Sequence, residues 1–226
     1  MAFNNAKTYG VNEGADYDAI NVRIENGFYH FDVKTPTGLI EDIKIQLPGR
    51  HNMENAVAAL AVADYLGVSD EKIHEALASF VGVKRRFNRF EGNGKIYVDD
   101  YAHHPTELDA VIGSLKELYP GKKILGVFQP HLFTRTRDFA DEFAHSLAQL
   151  DELVLLDIYP ARELPIEGIT SDWLLEKVDL KEKSVSSLEE SISCIKSKDF
   201  DILLTVGAGN IDTIVKPLKN WILSEA

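Results

Sequence analysis

The 226-residue sequence has a single cysteine, Cys194, and no apolar run long enough to cross a membrane. One cysteine cannot form an internal disulfide, which excludes a disulfide-stabilised secreted domain and favours a reducing compartment. A membrane-spanning helix needs about 18 or more consecutive apolar residues. The first ten residues are polar and lack the apolar segment of a signal peptide. These absences predict a cytoplasmic protein without membrane contacts.

Positive charge is also scarce. The chain has 24 Lys and Arg against 36 Asp and Glu, a formal net charge of −12. Such a surface repels phosphate backbones, so we expect no nucleic-acid partner. Apolar residues make up 45% of the chain, with only 8 Pro and 15 Gly, which is typical of a globular protein. The length is sufficient for two modest domains.

The first half of the chain predicts an α+β segment. Alternating apolar and polar residues with turn signals between them predict antiparallel strands over 20–24, 28–33 and 43–47. Helical spacing then predicts two helices, over about 56–66 and 70–80. The first is apolar around nearly its whole circumference, so we expect it to be buried. In the second, we expect a buried stripe of apolar residues: Ile73, Ala76, Leu77 and Phe80.

The second half alternates between strands and helices. Strands are predicted over 96–98, 124–128, 153–158 and 202–206, and a helical pattern follows each of them. Repeated strand–helix units predict an α/β fold with a mostly parallel sheet and helices on both faces. We therefore expect two domains, over residues 1–93 and 94–226.

Titratable and cationic residues follow the predicted parallel strands, where such sheets bind ligands. Asp99-Asp100-Tyr101-Ala102-His103-His104 follows the first strand, and a segment with His131, Arg135 and Arg137 follows the second. Gly207-Ala208-Gly209-Asn210 follows the last. Cations gathered at this edge of an acidic protein favour a small anionic ligand.

Each of these patterns also permits a plainer interpretation. Asp99 and Asp100 with the two histidines could bind a divalent metal, but hydrogen bonding near the next helix is favoured. Arg135 and Arg137 could be solvated, although cations at a helix start oppose the helix dipole. The glycine pair of 207–209 is more typical of a tight turn than of a dinucleotide-binding loop.

Two further segments carry candidate binding residues, and the second of them lies at the predicted domain boundary, a preferred location for nucleotide pockets. In the first, His51 or Asn52 could cap the following helix, whereas the amide of Asn55 could donate to and accept from an adenine edge. The second, Lys84-Arg85-Arg86, is either a solvated charge run or a contact to phosphates.

Five motifs together resemble the Mur ligases of peptidoglycan synthesis, and among them the alanine-adding members. They occur in order, and the resemblance covers essentially the whole chain: Gly-Arg-His-Asn-x-x-Asn-x-x-Ala-Ala at 49–59, Gly-Val-x-Arg-Arg-Phe at 82–87, Asp-Asp-Tyr-Ala-His-His-Pro-Thr-Glu at 99–107, Phe-Gln-Pro-His-x-x-Thr-Arg-Thr-Arg-Asp at 128–138 and Gly-Ala-Gly-Asn at 207–210.

The resemblance implies an enzyme of three domains: one for the UDP-sugar, a central ATPase domain and a C-terminal Rossmann-like domain. Residues 1–93 would be the end of the central domain and 94–226 the C-terminal domain. The implied reaction uses ATP and Mg²⁺ to convert the carboxylate of UDP-N-acetylmuramate to an acyl phosphate, which L-alanine then attacks. The motifs imply roles for these residues: His51, Asn52, Asn55, Arg86, Asp100 and Tyr101 at the nucleotide, and His103 and Arg135 at the reacting groups.

The sequence departs from the family pattern in two places. Leu132 stands where many members have Arg, so one expected cation is missing. No Gly-x-x-x-x-Gly-Lys-Ser/Thr phosphate loop occurs in the chain, although ATP chemistry needs its backbone amides and lysine. We therefore expect this chain to be a fragment without activity of its own, and the Mg²⁺ ligands to lie mainly upstream with the missing N-terminal domains.

Three other functions compete with this interpretation. The family member that attaches a tripeptide to the same sugar has a similar Asp-Asp-aromatic-Ala-His-His-Pro segment but differs from the motif at 128–138. A non-catalytic dinucleotide-binding module would carry glycines after the first parallel strand, where Asp99 and Asp100 stand. A structural domain without a ligand would leave the cationic edge unexplained.

Overall fold

The computed structural model describes residues 6–224, which form two compact units divided between Gly82 and Val83. The first unit contains four strands and two helices: β1 (Tyr9–Val11), β2 (Tyr17–Glu25), β3 (Phe28–Thr35), β4 (Gly38–Ile45), α1 (Arg50–Tyr65) and α2 (Asp70–Ser79). The second contains the remaining elements: β5 (Asn88–Gly92), β6 (Lys95–Asp100), α3 (Pro105–Leu118), β7 (Ile124–Phe128), α4 (Phe133–Asp138), α5 (Ala140–Leu147), β8 (Glu152–Leu156), α6 (Ser171–Lys177), β9 (Lys183–Ser186), α7 (Leu188–Lys196), β10 (Ile202–Val206) and α8 (Asp212–Leu223).

The first unit is built on a four-stranded sheet in the order β1-β2-β3-β4. The predicted antiparallel strands are confirmed, because β3 pairs antiparallel with both β2 and β4. Asn26 and Gly27 both have positive φ in the turn between β2 and β3, as a tight hairpin requires. The short strand β1, which the sequence did not predict, adds a parallel edge to β2.

Burial of the two helices in this unit is narrower than the sequence predicts. Only one face of α1 is buried, and Val62 and Tyr65 on its other side are 60% and 84% exposed. In α2 only Ile73 is buried, while Phe80 is 56% exposed. The expectation of a helix buried all round was wrong, since a single sheet within this unit covers only one helix face.

The second unit contains a six-stranded sheet in the order β5-β6-β10-β7-β8-β9. All neighbouring pairs are parallel except the edge pair β5–β6. This confirms the predicted α/β class and its mostly parallel sheet. The strands β7, β8 and β10 are buried along their whole length, as expected for a sheet covered on both faces.

Alternate residues of β7 show that helices cover both faces. Leu125 and Val127 belong to the core cluster that includes Ile195 of α7 and Ile214 of α8. On the other face, the Phe128 ring lies 5.4 Å from a phenylalanine ring of α5. Because side chains alternate across a strand, these two sets mark opposite sides of the sheet.

The boundary between the units lies eleven residues before the predicted end of the first domain at residue 93. The reason is strand pairing: β5 lies within the predicted first domain but forms hydrogen bonds with β6 of the six-stranded sheet. The assignment of 1–93 and 94–226 to two domains of a parent enzyme stays a prediction. Within residues 6–224, the structure has no helix that is both long and apolar enough to span a bilayer.

Candidate active site

The candidate site lies at the carboxyl edge of the six-stranded sheet. The strands β6, β10, β7 and β8 are adjacent and parallel, so the loops that follow them emerge on one side. An isolated parallel bridge between His131 and Tyr159 continues the pairing beyond β7 and β8. The topology thus brings together the histidines and arginines that the sequence distributes over several loops.

The turn after β10 forms the close-packed floor of this edge. A Cβ atom on Gly207, whose φ is 146°, would lie 2.8 Å from the carbonyl oxygen of Gln129. A Cβ on Gly209 would clash with the side-chain Oε1 of Gln129. Gln129 accepts a hydrogen bond from the backbone N–H of Ile211 at 2.9 Å and donates to Asn210 Oδ1 at 2.7 Å. The glycine pair is therefore a tight turn with close backbone approach, as the sequence indicates.

His103 follows β6 and is held by two acceptors on one ring nitrogen. Its Nδ1 lies 2.9 Å from the carbonyl oxygen of Tyr101 and 3.4 Å from Oε2 of Glu107. Both neighbours can only accept, so Nδ1 carries a proton. The neutral imidazole then presents the lone pair of Nε2, which is the arrangement of a general base.

Arg135 and His131 each carry a buried polar atom without a hydrogen-bond partner among residues 6–224: Arg135 Nη1 and His131 Nδ1. The His131 ring stacks on Tyr159 at 5.6 Å and lies 6.2 Å from the His103 ring. Burial lowers the pKa of His131, and the nearby charge of Arg135 lowers it further. At neutral pH, His131 is therefore predominantly uncharged, and it lies near a cation whose Nη1 is buried without a hydrogen-bond partner among residues 6–224.

Glu163 holds the start of α4 in place. Its carboxylate accepts hydrogen bonds from the hydroxyl and the backbone N–H of Thr134, and these bonds lower its pKa. A carboxylate at this end of a helix also complements the helix dipole. This contact fixes the segment that carries Arg135.

Asp100 uses both carboxylate oxygens within the chain. Oδ2 accepts from the backbone N–H of Phe87 and Oδ1 from that of Ala102, each at 2.7 Å. Burial raises the pKa of Asp100, and the two backbone hydrogen bonds oppose that increase. Any ribose contact by Asp100 would use the remaining lone pairs of an already bonded carboxylate.

Asp99, the neighbour of Asp100, points into the sheet and forms hydrogen bonds with Arg85 and Thr205. The described part of the chain contains no group of three His, Cys, Asp or Glu side chains placed to hold a metal ion. The hydrogen-bonding interpretation of Asp99 and Asp100 is the one that the geometry supports.

Tyr101 and Arg86 are accessible from outside this unit. Tyr101 is 38% exposed, and its ring lies 5.1 Å from the ring of His103. Arg86 is exposed, and its charge lowers the pKa of Asp100, against the larger effect of burial. The structure therefore brings five of the predicted residues to one region of the second unit: Arg86, Asp100, Tyr101, His103 and Arg135.

The remaining predicted residues lie in the first turns of α1, in the other unit. Asn52 donates to the carbonyl oxygen of Pro48 at 2.7 Å, so its amide stabilises the approach to the helix. His51 and Asn55 are exposed. Within the described residues, the side chain of Asn55 has no hydrogen bond that would prevent it from contacting a ligand.

Sequence reasoning did not select His131, Glu163 or Arg85 as site residues. His131 was within reach, because it follows β7 at the same edge as the residues that were selected. Glu163 contacts Thr134 across 29 positions of sequence, and no local pattern reveals such a contact. Arg85 could not be distinguished from Arg86 without the turn that orients them differently.

Comparison with known proteins gives a consistent result for both units. A family model described as "Mur ligase, glutamate ligase domain" matches residues 85–209, and one described as "Mur ligase middle domain" matches residues 2–63. The UDP-N-acetylmuramate–L-alanine ligase of Flavobacterium psychrophilum is 55% identical over 213 residues, which cover 94% of this chain and 48% of that protein. The ligase of the same name from Flavobacterium johnsoniae is 51% identical, covering 94% and 47%.

The fold agrees with these relatives. The crystal structure of a UDP-N-acetylmuramate–alanine ligase from Thermotoga maritima matches with a TM-score of 0.75 and 27% identity, over 95% of this chain and 47% of that one. The chain thus spans about half the length of the relatives that it matches.

Proposed function

The chain belongs to the Mur ligase family, and we propose that it is the C-terminal part of an ATP-dependent ligase that joins L-alanine to the carboxylate of UDP-N-acetylmuramate. One observation carries the proposal: among residues 6–224, Arg135 Nη1 and His131 Nδ1 are buried without hydrogen-bond partners, and the His131 ring lies 6.2 Å from the His103 ring. Buried polar groups in native proteins are nearly always hydrogen-bonded, so this pair fits a polar ligand. The names of the relatives support the choice of substrates.

In the proposed reaction, the sugar carboxylate attacks the γ-phosphoryl group of ATP, which gives an acyl phosphate and ADP. The amine of L-alanine then attacks the acyl carbon, and the tetrahedral intermediate collapses with loss of phosphate. The alanine ammonium group must lose a proton before it can attack. Nε2 of His103 can accept that proton, because the ring's own proton lies on Nδ1, which donates it in a hydrogen bond to the carbonyl oxygen of Tyr101.

Arg135 stabilises the negative charge on the carboxyl and phosphoryl oxygens in this scheme. A guanidinium group bonds such oxygens strongly, and its planar fork fixes their orientation. The neighbouring His131 is uncharged at neutral pH, so it does not repel the alanine ammonium group. Glu163 keeps the helix that carries Arg135 in place.

Each unit, taken by itself, carries residues to which we assign nucleotide contacts. Asn55 and His51 contact the adenine side, Asn52 supports their helix start, and Arg86 contacts the phosphates or ribose. Tyr101 offers a ring face for stacking. Asp100 contributes through its remaining lone pairs.

Mg²⁺ would offset phosphate charge in this reaction. Its ligands are not assigned to this chain, since residues 6–224 offer no suitable cluster. The proposed location is the cytoplasm, which suits a chain with one cysteine. The remaining partners of the chain would be the N-terminal domains of its own parent.

The test is an assay of the full-length parent with ATP, Mg²⁺ and UDP-N-acetylmuramate. Release of phosphate should depend on L-alanine, and mass spectrometry should find the alanyl amide. A parallel reaction with a tripeptide in place of L-alanine tests the tripeptide-adding alternative. Turnover only with the tripeptide would reject the proposed substrate, and nucleotide binding without any product would favour the non-catalytic module.

A further inference from the structure

The turn formed by residues 83–87 is held against the six-stranded sheet by the side chains of both tandem aspartates. Asp99 bonds the Arg85 side chain, with 3.3 Å between Oδ2 and Nε, and Asp100 bonds the backbone N–H of Phe87 at 2.7 Å. The backbone N–H of Tyr101 also donates to the carbonyl oxygen of Arg85 at 2.8 Å. Three consecutive residues, the last two of β6 and the one after it, therefore each form a hydrogen bond with this short segment.

Arg85 is the central member of this arrangement. Its Nη2 donates to the carbonyl oxygen of Gly207 at 2.6 Å, in the turn after β10, while its Nε faces Asp99. The guanidinium also lies 5.3 Å from the centre of the Tyr101 ring. One side chain thus connects the turn to the ends of two adjacent strands.

Asp99 is in turn fixed from within the sheet. Its side chain is 1% exposed, and Oδ1 accepts a hydrogen bond from the hydroxyl of Thr205 at 2.9 Å. The Tyr97 hydroxyl lies 2.9 Å from the same Thr205 oxygen. A buried carboxylate that keeps a cation and a hydroxyl as partners is a rigid anchor.

The backbone of the turn needs such an anchor. Arg85 and Phe87 have φ values of 59° and 51°, in the left-handed region that non-glycine residues rarely adopt. The strain persists only where the surroundings impose it. Between these two residues, the chain directs Arg86 to the solvent while the Arg85 side chain is only 18% exposed.

We propose that Arg85 and Asp99 are positioning residues, whose ion pair holds the turn 83–87 in the conformation that presents Arg86 to the nucleotide. Neither residue contacts the nucleotide. The part of this inference that concerns ATP rests on the proposed function, whereas the part that concerns the turn does not.

The first experiment measures amide hydrogen exchange in this chain. Arg85→Gln should accelerate exchange at Arg86 and Phe87 at least tenfold and leave β10 unchanged. Arg89→Gln removes another arginine–carboxylate pair of the same unit, with Glu91, and should leave the turn protected. Equal exchange at the turn in the wild type and Arg85→Gln would overturn the proposal.

The second experiment measures kinetics in the full-length parent. Arg85→Gln and Asp99→Asn should raise the KM for ATP about tenfold, with kcat changed less than threefold. Arg85→Lys keeps the charge but lacks the planar fork that faces Asp99 and Gly207 through two different nitrogen atoms, so it should give an intermediate KM. A KM unchanged by Arg85→Gln but raised by Arg86→Gln would overturn the positioning role.

The two experiments also separate failure of the inference from failure of the proposed function. A wild-type parent that does not use ATP would reject the proposed function, and the exchange measurement would still decide whether the pair holds the turn. If Arg85→Gln also accelerates exchange in β10, the milder variant Arg85→Lys is measured instead. In that variant we expect exchange at Arg86 and Phe87 to be at least threefold faster than in the wild type. Protection equal to the wild type in that variant would count against the pair.

Discussion

Arg85 and Arg135 are both partly buried, but only Arg85 forms a salt bridge with a carboxylate of the chain. Arg135 has no such bridge within residues 6–224, and its Nη1 atom is buried without a partner. A buried charge or N–H group without a partner costs free energy. A bound carboxylate or phosphoryl group would remove that cost, so Arg135 is the residue whose substitution should affect chemistry most.

We expect Arg135→Ala in the full-length parent to lower kcat about 100-fold or more. The expected size is that of removing a donor that faces developing negative charge in a transition state. Arg135→Lys should recover only part of the rate, because an ammonium group lacks the planar fork of the guanidinium. The measurement is steady-state phosphate release with all three substrates.

Arg137→Ala is the matched control. Arg137 lies two positions further along α4, is exposed and pairs with its neighbour Asp138. Exposed pairs contribute little, so the control should retain nearly normal turnover. Similar rates for the Arg135→Ala and Arg137→Ala variants would remove Arg135 from the site.

Asp99 should give the unit an unusual dependence of stability on pH. Burial raises its pKa to about 6 from 3.8, although the Arg85 charge opposes the shift. Between these two values the folded state binds more protons than the unfolded state, so stability decreases as the pH rises from about 4 to about 6. The expected loss is about 3 kcal/mol, at about 1.4 kcal/mol for each pKa unit.

Tryptophan fluorescence suits this measurement, because both tryptophans, Trp173 and Trp221, lie in the second unit. Urea unfolding of the wild type and of Asp99→Asn at several pH values isolates the contribution of the carboxyl group. The wild type should lose stability relative to the variant as the pH rises through this window. A relative gain instead would mean that the pKa of Asp99 is lowered.

At the level of elements, the central strands were predictable, whereas three of the four edge strands, β1, β5 and β9, were not. The strand β7 has no polar side chain and β10 has only one, Thr205, and the predicted bounds of both strands are confirmed. In contrast, β1 has three residues, β5 is Asn-Arg-Phe-Glu-Gly and β9 is Lys-Ser-Val-Ser. Edge strands bury less surface than central strands, so whether they form depends on pairing with a neighbouring strand. For β9 that neighbour, β8, lies far away in sequence.

The site was predictable to the extent that it depends on strand ends. Asp100 ends β6, His103 follows it, and Arg135 follows β7, and the general behaviour of parallel sheets placed all three at one edge. Hydrogen-bond partners were not predictable. The bonds of Asp99 with Thr205 and of Gln129 with Asn210 join residues 106 and 81 positions apart, and only the folded sheet brings them together.

The turn after β10 should be intolerant of any side chain at Gly207. We expect Gly207→Ala to destabilise the second unit by about 2 kcal/mol or more, since the φ of 146° is strained for alanine and the Cβ would lie 2.8 Å from a carbonyl oxygen. Chemical denaturation followed by tryptophan fluorescence gives the measurement.

Gly113→Ala provides the opposite case. Gly113 lies in α3, and a Cβ there would have no neighbour within 4 Å. Alanine is the better helix former, so this variant should gain about 0.5–1 kcal/mol. Equal stabilities for the two variants would show that the turn after β10 has room for a side chain.

For the whole molecule, neither the net charge nor the length describes the candidate site. The net charge of −12 conceals a local group of cationic and imidazole side chains at one sheet edge, formed by Arg86, His103, His131 and Arg135. Length alone suggested two domains, and the chain does form two units. Because the chain spans only about half the length of its relatives, folding of these units does not imply that they hold all the groups that the reaction needs.

We therefore expect no turnover when this chain alone is incubated with ATP, Mg²⁺, UDP-N-acetylmuramate and L-alanine. Its sequence lacks a Gly-x-x-x-x-Gly-Lys-Ser/Thr loop, so it cannot supply the backbone amides and lysine that hold the phosphates of ATP for transfer. The full-length parent, assayed beside it at equal concentration, should release phosphate. Equal phosphate release by the two proteins would mean that another part of the 226 residues holds the phosphates, and the assignment of ATP binding to the rest of the parent would then be wrong.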